Sequence, residues 1–137
     1  MKRKTTQILF LIIAISMLFS SVAFATQNSS AYIGATSGYI TYSGNDIKVY
    51  FTVVGRHNMS EIGVSEILLY EQNGNTWTRV HTFYADDPAY TADMLSYNTS
   101  AKADHVTYSG DSTKNYYAIL YFYAADANGS DTITYYT

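Results

Sequence analysis

From Ile47 to Val54 the side chains alternate without a break: Ile47, Val49, Phe51 and Val53 share one side of an extended chain, and Lys48, Tyr50 and Thr52 share the other. A period of two is the pattern of a strand with one buried face. Residues 115–125 carry the same pattern with larger side chains: Tyr116, Ala118, Leu120, Phe122 and Ala124 on one face, Tyr117, Ile119, Tyr121 and Tyr123 on the other. No stretch beyond residue 30 repeats at the helical period over a useful length, and one proline, Pro88, interrupts a chain dominated by tyrosine and threonine. Such residues fit a pleated, half-buried surface, so the chain is constrained to an all-β fold.

Turn residues divide it into about seven strands. Gly38–Tyr42 ends at Ser43-Gly44-Asn45-Asp46, and Ile47–Val54 follows. Gly55–Gly63 reads as a polar loop anchored by Met59 and Ile62. Ser65–Gln72 and Thr76–Tyr84 form a hairpin about Asn73-Gly74-Asn75, where Gly and Asn tolerate positive φ. Asp86–Asn98 reads as a loop crossing between sheets. Lys102–Ser109, Asn115–Ala125 and Asp131–Tyr136 complete the count, parted by Gly110-Asp111-Ser112 and Asp126-Ala127-Asn128-Gly129. Strands at this spacing predict an antiparallel sandwich.

The first 25 residues follow a different logic. Lys2, Arg3 and Lys4 precede an apolar run from Ile8 to Phe19, then Ser20, Ser21 and Ala23-Phe24-Ala25. A basic start, a short apolar core and an Ala-x-Ala site are the parts of a secretory signal peptide. The run falls short of the roughly 20 apolar residues that span a bilayer. The predicted organisation is a signal peptide, 1–25, a flexible leader, 26–30, and one β-sandwich domain, 31–137. Without cysteine the domain has no disulfide, thiolate zinc site or cysteine nucleophile. Export without cysteine fits a Gram-positive bacterium, and the expected product is secreted, with no stable membrane anchor after cleavage. Beyond residue 25, five basic side chains face eleven acidic ones, a formal charge of −6. That argues against a nucleic-acid partner, whose phosphates need clustered Lys and Arg.

The run from Tyr116 to Thr132 resembles the last hairpin of fibronectin type III and related immunoglobulin-like domains. In those families a tyrosine opens the penultimate strand and an Asn-Gly type turn precedes the last. Ile67-Leu68-Leu69-Tyr70-Glu71 with Trp77 following resembles the hairpin after the first core strands. The resemblance implies a sandwich in which Tyr116 or Tyr117 bonds back to upstream backbone as a tyrosine corner. The whole chain is also similar to short exported proteins of Gram-positive anaerobes.

A two-sheet sandwich buries one face of each sheet. With Ala118, Leu120 and Phe122 inward, Tyr117, Ile119, Tyr121 and Tyr123 point out, joined by Leu68 and Tyr70 if the neighbouring strand is Ile67–Glu71. Exposed apolar patches of several hundred Å² mark contact surfaces, and tyrosine offers rigid area with a polar tip. The expected function is a secreted, non-catalytic binding or adhesion module for an extracellular protein or glycan, with Tyr70, Tyr117, Tyr121 and Tyr123 as binding residues. The alternative is a self-associating structural protein of the cell surface or matrix. No cofactor is expected. Asp126, Asn128 and Asp131 give a weak calcium option, although Asn-Gly at a hairpin tip needs no ion. His57, His81 and His105 lack zinc spacing and read as surface or turn residues. A small hydrolase, the remotest alternative, would need a cleft with converging acids beside Glu61, Glu66 or Asp93.

Overall fold

The computed structural model describes residues 30–137; the predicted signal peptide, 1–25, and most of the predicted leader, 26–30, lie outside the described residues. The described chain is all-β. Its strands are β1 (Ile33–Ser43), β2 (Asp46–Asn73), β3 (Thr76–Tyr84), β4 (Leu95–Ser109), β5 (Tyr116–Asp126) and β6 (Gly129–Tyr136), with a single short helix, α1 (Thr91–Met94), before β4. All pair antiparallel within one six-stranded sheet. Among the described residues no helix is long and apolar enough to cross a membrane.

β2 organises the rest. Its 28 residues would extend about 90 Å at a rise near 3.3 Å per residue. A domain of this size has a radius of gyration of only about 13 Å, so the strand must bend. Its first half, to Val54, pairs with β1 on one side and β4 on the other. Its second half pairs with β5 from Glu61, with the start of β4 as far as Gly63 and with β3 from Glu66, and β5 pairs with β6. The β4 ladder breaks its register between Val54 and Met59. The sheet thereby curls on itself, and β1 comes into contact with β5 and β6.

The enclosed side is one continuous core. It takes Ile47, Val49, Phe51 and Val53 from the first half of β2, Ile67 and Leu69 from the second, and Ala118, Leu120, Phe122 and Ala124 from β5. These are the faces assigned by alternation.

The strand count is six, not seven, because Ile47–Val54 and Ser65–Gln72 belong to one strand. The predicted loop Gly55–Gly63 is its bend. Polar, glycine-containing sequence does not end the strand there, because its backbone finds partners: Gly55 sits opposite Ile33, the Arg56 amide donates to Tyr32 O at 2.9 Å, and Met59 sits opposite Thr99. Met59 and Ile62 are buried, as expected of anchors. β1 and β4 begin earlier than predicted, at Ile33 and Leu95. The connection from β3 to β4 does cross from one half of the sheet to the other, but it contains α1 and ends at Met94.

Candidate functional site

Tyr116, at the start of β5, is buried as part of the core. Its hydroxyl accepts from the Asp111 amide at 3.0 Å, lies 3.1 Å from the Asp111 carbonyl, and donates to Glu71 Oε2 at 2.7 Å. Lys114 Nζ donates to Glu71 Oε1 at 2.6 Å and to Asn73 Oδ1 at 3.0 Å. Of the two tyrosines considered for the corner, Tyr116 makes the backbone contact, whereas Tyr117 faces outward. Lys114 and Tyr116 hold the Glu71 carboxyl below its ordinary range. Burial, helped by Glu71, pushes the Tyr116 phenol up to about 12. This network fixes the edge from which the outer face of β5 extends.

On that face Tyr70 lies opposite Tyr117, Leu68 opposite Ile119, and Glu66 opposite Tyr121. β6 adds Tyr136 beside Ile119 and Thr134 beside Tyr121; β3 adds Trp77 beside Gln72 and Tyr84 beside Glu66. Tyr70 and Tyr117 stack with ring planes 2° apart and centroids at 4.8 Å, and Trp77 meets Tyr117 edge to face at 4.8 Å. Each of the two stacked rings thus gives a face to the other. Burial, then the neighbouring phenols of Tyr70 and Tyr136, push the Tyr117 phenol up.

All four predicted binding residues, Tyr70, Tyr117, Tyr121 and Tyr123, therefore share one face, and each is half-buried. Leu68, predicted to join them as exposed surface, is 8% exposed, so it supports the face from beneath. The most open rings lie at its rim: Trp77, Tyr84, Tyr97 and Tyr136. Sequence reasoning did not place these four on the face. Trp77 and Tyr84 follow from the β2–β3 register, whereas Tyr97 was hidden in the presumed loop.

At the Tyr121–Tyr123 end the face opens into a cleft of about 590 Å³ lined by Glu61, Glu66, Tyr84, Asp86, Tyr97 and Tyr123, with Ala85 and Leu95 among its apolar lining. Gly63 sets its geometry. It lies opposite Leu95 on one side and Tyr123 on the other, and a β-carbon there would stand 1.9 Å from the Met94 carbonyl oxygen. Only glycine allows β4 to start so close to β2. Glu61 and Glu66 line the cleft, whereas Asp93 does not.

The remaining candidates lie apart. Asp126 Oδ2 lies 2.7 Å from His57 Nε2, and Oδ1 accepts from the Asn128 amide. Asp131 accepts from the Ser30 hydroxyl and the Ala31 amide. Both Asp126 carboxylate oxygens and Asp131 Oδ2 thus already face protein donors. The hairpin tip is Ala127-Asn128, with Gly129 paired to Asp126 as the first residue of β6. Among the described residues no group of three His, Asp or Glu side chains converges as a metal site. His57 pairs with Asp126 and His105 stacks on Tyr50, but His81 is no turn residue: it packs against Phe83, Tyr90 and Tyr108.

No family model, curated protein or solved structure matches the chain. Its side chains alone speak for its function.

Proposed function

We propose that the chain is an exported, non-catalytic binding module that contacts an extracellular protein through the outer face of β3, the second half of β2, β5 and β6. The observation that carries this reading is the difference between the two outer faces. Around Tyr50 the opposite face presents Lys48, Thr52, Ser37, Thr41, Ala103 and Thr107, with one aromatic row of Tyr39, Tyr50 and His105. The proposed face carries Tyr70, Tyr117, Tyr121, Tyr123, Ile119 and Trp77 over a buried Leu68. Tyrosine and tryptophan are enriched where proteins meet. The Tyr70–Tyr117 stack favours a protein partner over a glycan, because each ring gives a face to its neighbour that a sugar would otherwise need.

The fold reading behind this is a fibronectin type III-like sandwich. In immunoglobulin-like sandwiches the strands lettered A, B and E neighbour one another in one sheet, and C, F and G in the other. Here β1, the first half of β2 and β4 have the A–B–E pairing; the second half of β2, β5 and β6 have the C–F–G pairing, with β3 added at the C edge. The departure is the continuity of B into C as one bent strand. Tyr116 supports the correspondence, opening the F-equivalent strand with a bond to backbone five residues upstream.

A photo-reactive phenylalanine analogue at position 121, compared with one at position 52 on the opposite face, tests the contact in cultures of the producing cell. An adduct of defined mass from position 121 alone is the expected result. Equal labelling from both positions overturns it. Adducts of twice the chain mass, with light scattering that rises on dilution-reversible assembly, would instead assign the face to self-association. Sugar release from polysaccharide, abolished by Glu66→Gln, would replace binding by hydrolysis. Export itself predicts that the secreted product begins at Thr26, which its intact mass reports.

A further inference from the structure

We infer that the cleft between β2, β4 and β5 is a binding site for a primary alkylammonium group, distinct in chemistry from the aromatic face it adjoins. Its lining holds three carboxylates, Glu61, Glu66 and Asp86, and no lysine, arginine or histidine. Among the described residues none of the three enters an ion pair, while Glu71, Asp104 and Asp126 elsewhere do.

The polar lining is almost wholly accepting. The Ser65 hydroxyl already donates to the Tyr121 carbonyl at 3.1 Å. The Thr91 hydroxyl faces the Ala85 and Asp87 carbonyls at 2.8 and 3.0 Å. Beyond the phenol hydroxyls of Tyr84, Tyr97 and Tyr123, the side chains offer acceptors only. A neutral sugar could donate its hydroxyls here but would leave the three carboxylates without a counter-charge, and a carboxylate would be repelled; an ammonium brings three donors and the missing positive charge.

Size and walls narrow the choice between cations. The carboxylates do not gather about one point as a metal ion requires. They are spread around about 590 Å³, within the range of small-molecule sites, roughly 300–1,000 Å³. Tyr84, Tyr97 and Tyr123 supply aromatic walls, which attract an organic cation through the ring faces and shelter its aliphatic stem. Ala85 and Leu95 extend the apolar lining. A charged head on an apolar stem is what this combination fits: a lysyl side chain or a free diamine.

Titration of the whole exported chain, followed by backbone amide shifts in NMR, tests the site with three probes: cadaverine, an N-terminally acetylated Gly-Lys-Gly peptide amide, and the same peptide with the lysine ε-amine acetylated. Saturable shifts at Glu61, Glu66 and Tyr123 are expected with the first two and not with the third. Tighter binding of the lysyl peptide assigns the source to polypeptide, and tighter binding of cadaverine assigns it to free amines. Glu66→Gln and the exposed Asp86→Asn should each weaken binding by about threefold or more, and 0.5 M salt should weaken it further. The spectrum away from the cleft reports that both variants are folded. Equal binding of the acetylated peptide, or shifts that ignore both substitutions, would overturn the assignment. Because the probes need no protein partner, this result is independent of cross-linking at position 121.

Discussion

The Tyr116 hydroxyl and Glu71 Oε2 lie 2.7 Å apart, with Tyr116 donating, in a position where both side chains are buried. The Tyr116 hydroxyl oxygen also accepts from the Asp111 amide, so one phenol joins β5, β2 and the turn before β5. Tyr116→Phe keeps the ring and removes all of this. It should lower unfolding free energy by about 1–3 kcal/mol, the cost of leaving buried polar groups unsatisfied. Urea denaturation at neutral pH checks it.

Glu71 also sets the acid limb of the stability curve. Lys114 and Tyr116 hold its carboxyl below the ordinary 4.5 in the fold, so as pH falls the unfolded chain takes up a proton first. The stabilisation is present above that ordinary value and is lost as pH drops through the folded one. Circular dichroism melts between pH 7 and 2 should show this decline, and Glu71→Gln should flatten it.

The alkaline limb runs the other way. Burial raises Tyr116 from 10.0 to about 12, so the unfolded chain loses its proton first. Stability should hold up to about pH 10 and fall as pH rises through 12. Lys114, raised by its bond to Glu71, acts in the same sense. Tyr116→Phe should remove part of the slope in melts taken between pH 9 and 12.

Gly63→Ala should deform the cleft while leaving the rest of the core in place. The added carbon would stand 1.9 Å from Met94 O and 3.0 Å from Leu95 Cα, both backbone atoms that cannot swing aside. Overpacking of this kind costs about 1–3 kcal/mol. Amide shifts should move at Met94, Leu95 and Tyr123 more than at Val49 or Val106.

Much of this fold is legible as alternation. The inward residues of β5 and of the first half of β2 follow from parity, because each strand is buried on one face. The bend is not legible: Gly55 to Asn58 has loop composition, and its backbone partners come from Tyr32 and Ile33 at the far end of β1. Nor is the cleft. Glu61 and Glu66 come from β2, Tyr84 and Asp86 from the end of β3 and the turn after it, Tyr97 from β4 and Tyr123 from β5, so only tertiary structure brings them together. Glu71 was missed because alternation places an acid on the core side, where only the Tyr116 and Lys114 contacts explain it.

The orientation of β5 underlies both the proposed binding face and the core, and two adjacent residues test it. Phe122 is fully buried and Tyr121 lies on the outer face opposite Glu66 and Thr134. Guanidinium unfolding of Phe122→Ala and Tyr121→Ser should give losses of about 3–5 kcal/mol for the first and under about 1 kcal/mol for the second. Equal losses, or a larger one for Tyr121→Ser, would mean that the tyrosines face the core and that no aromatic binding face exists.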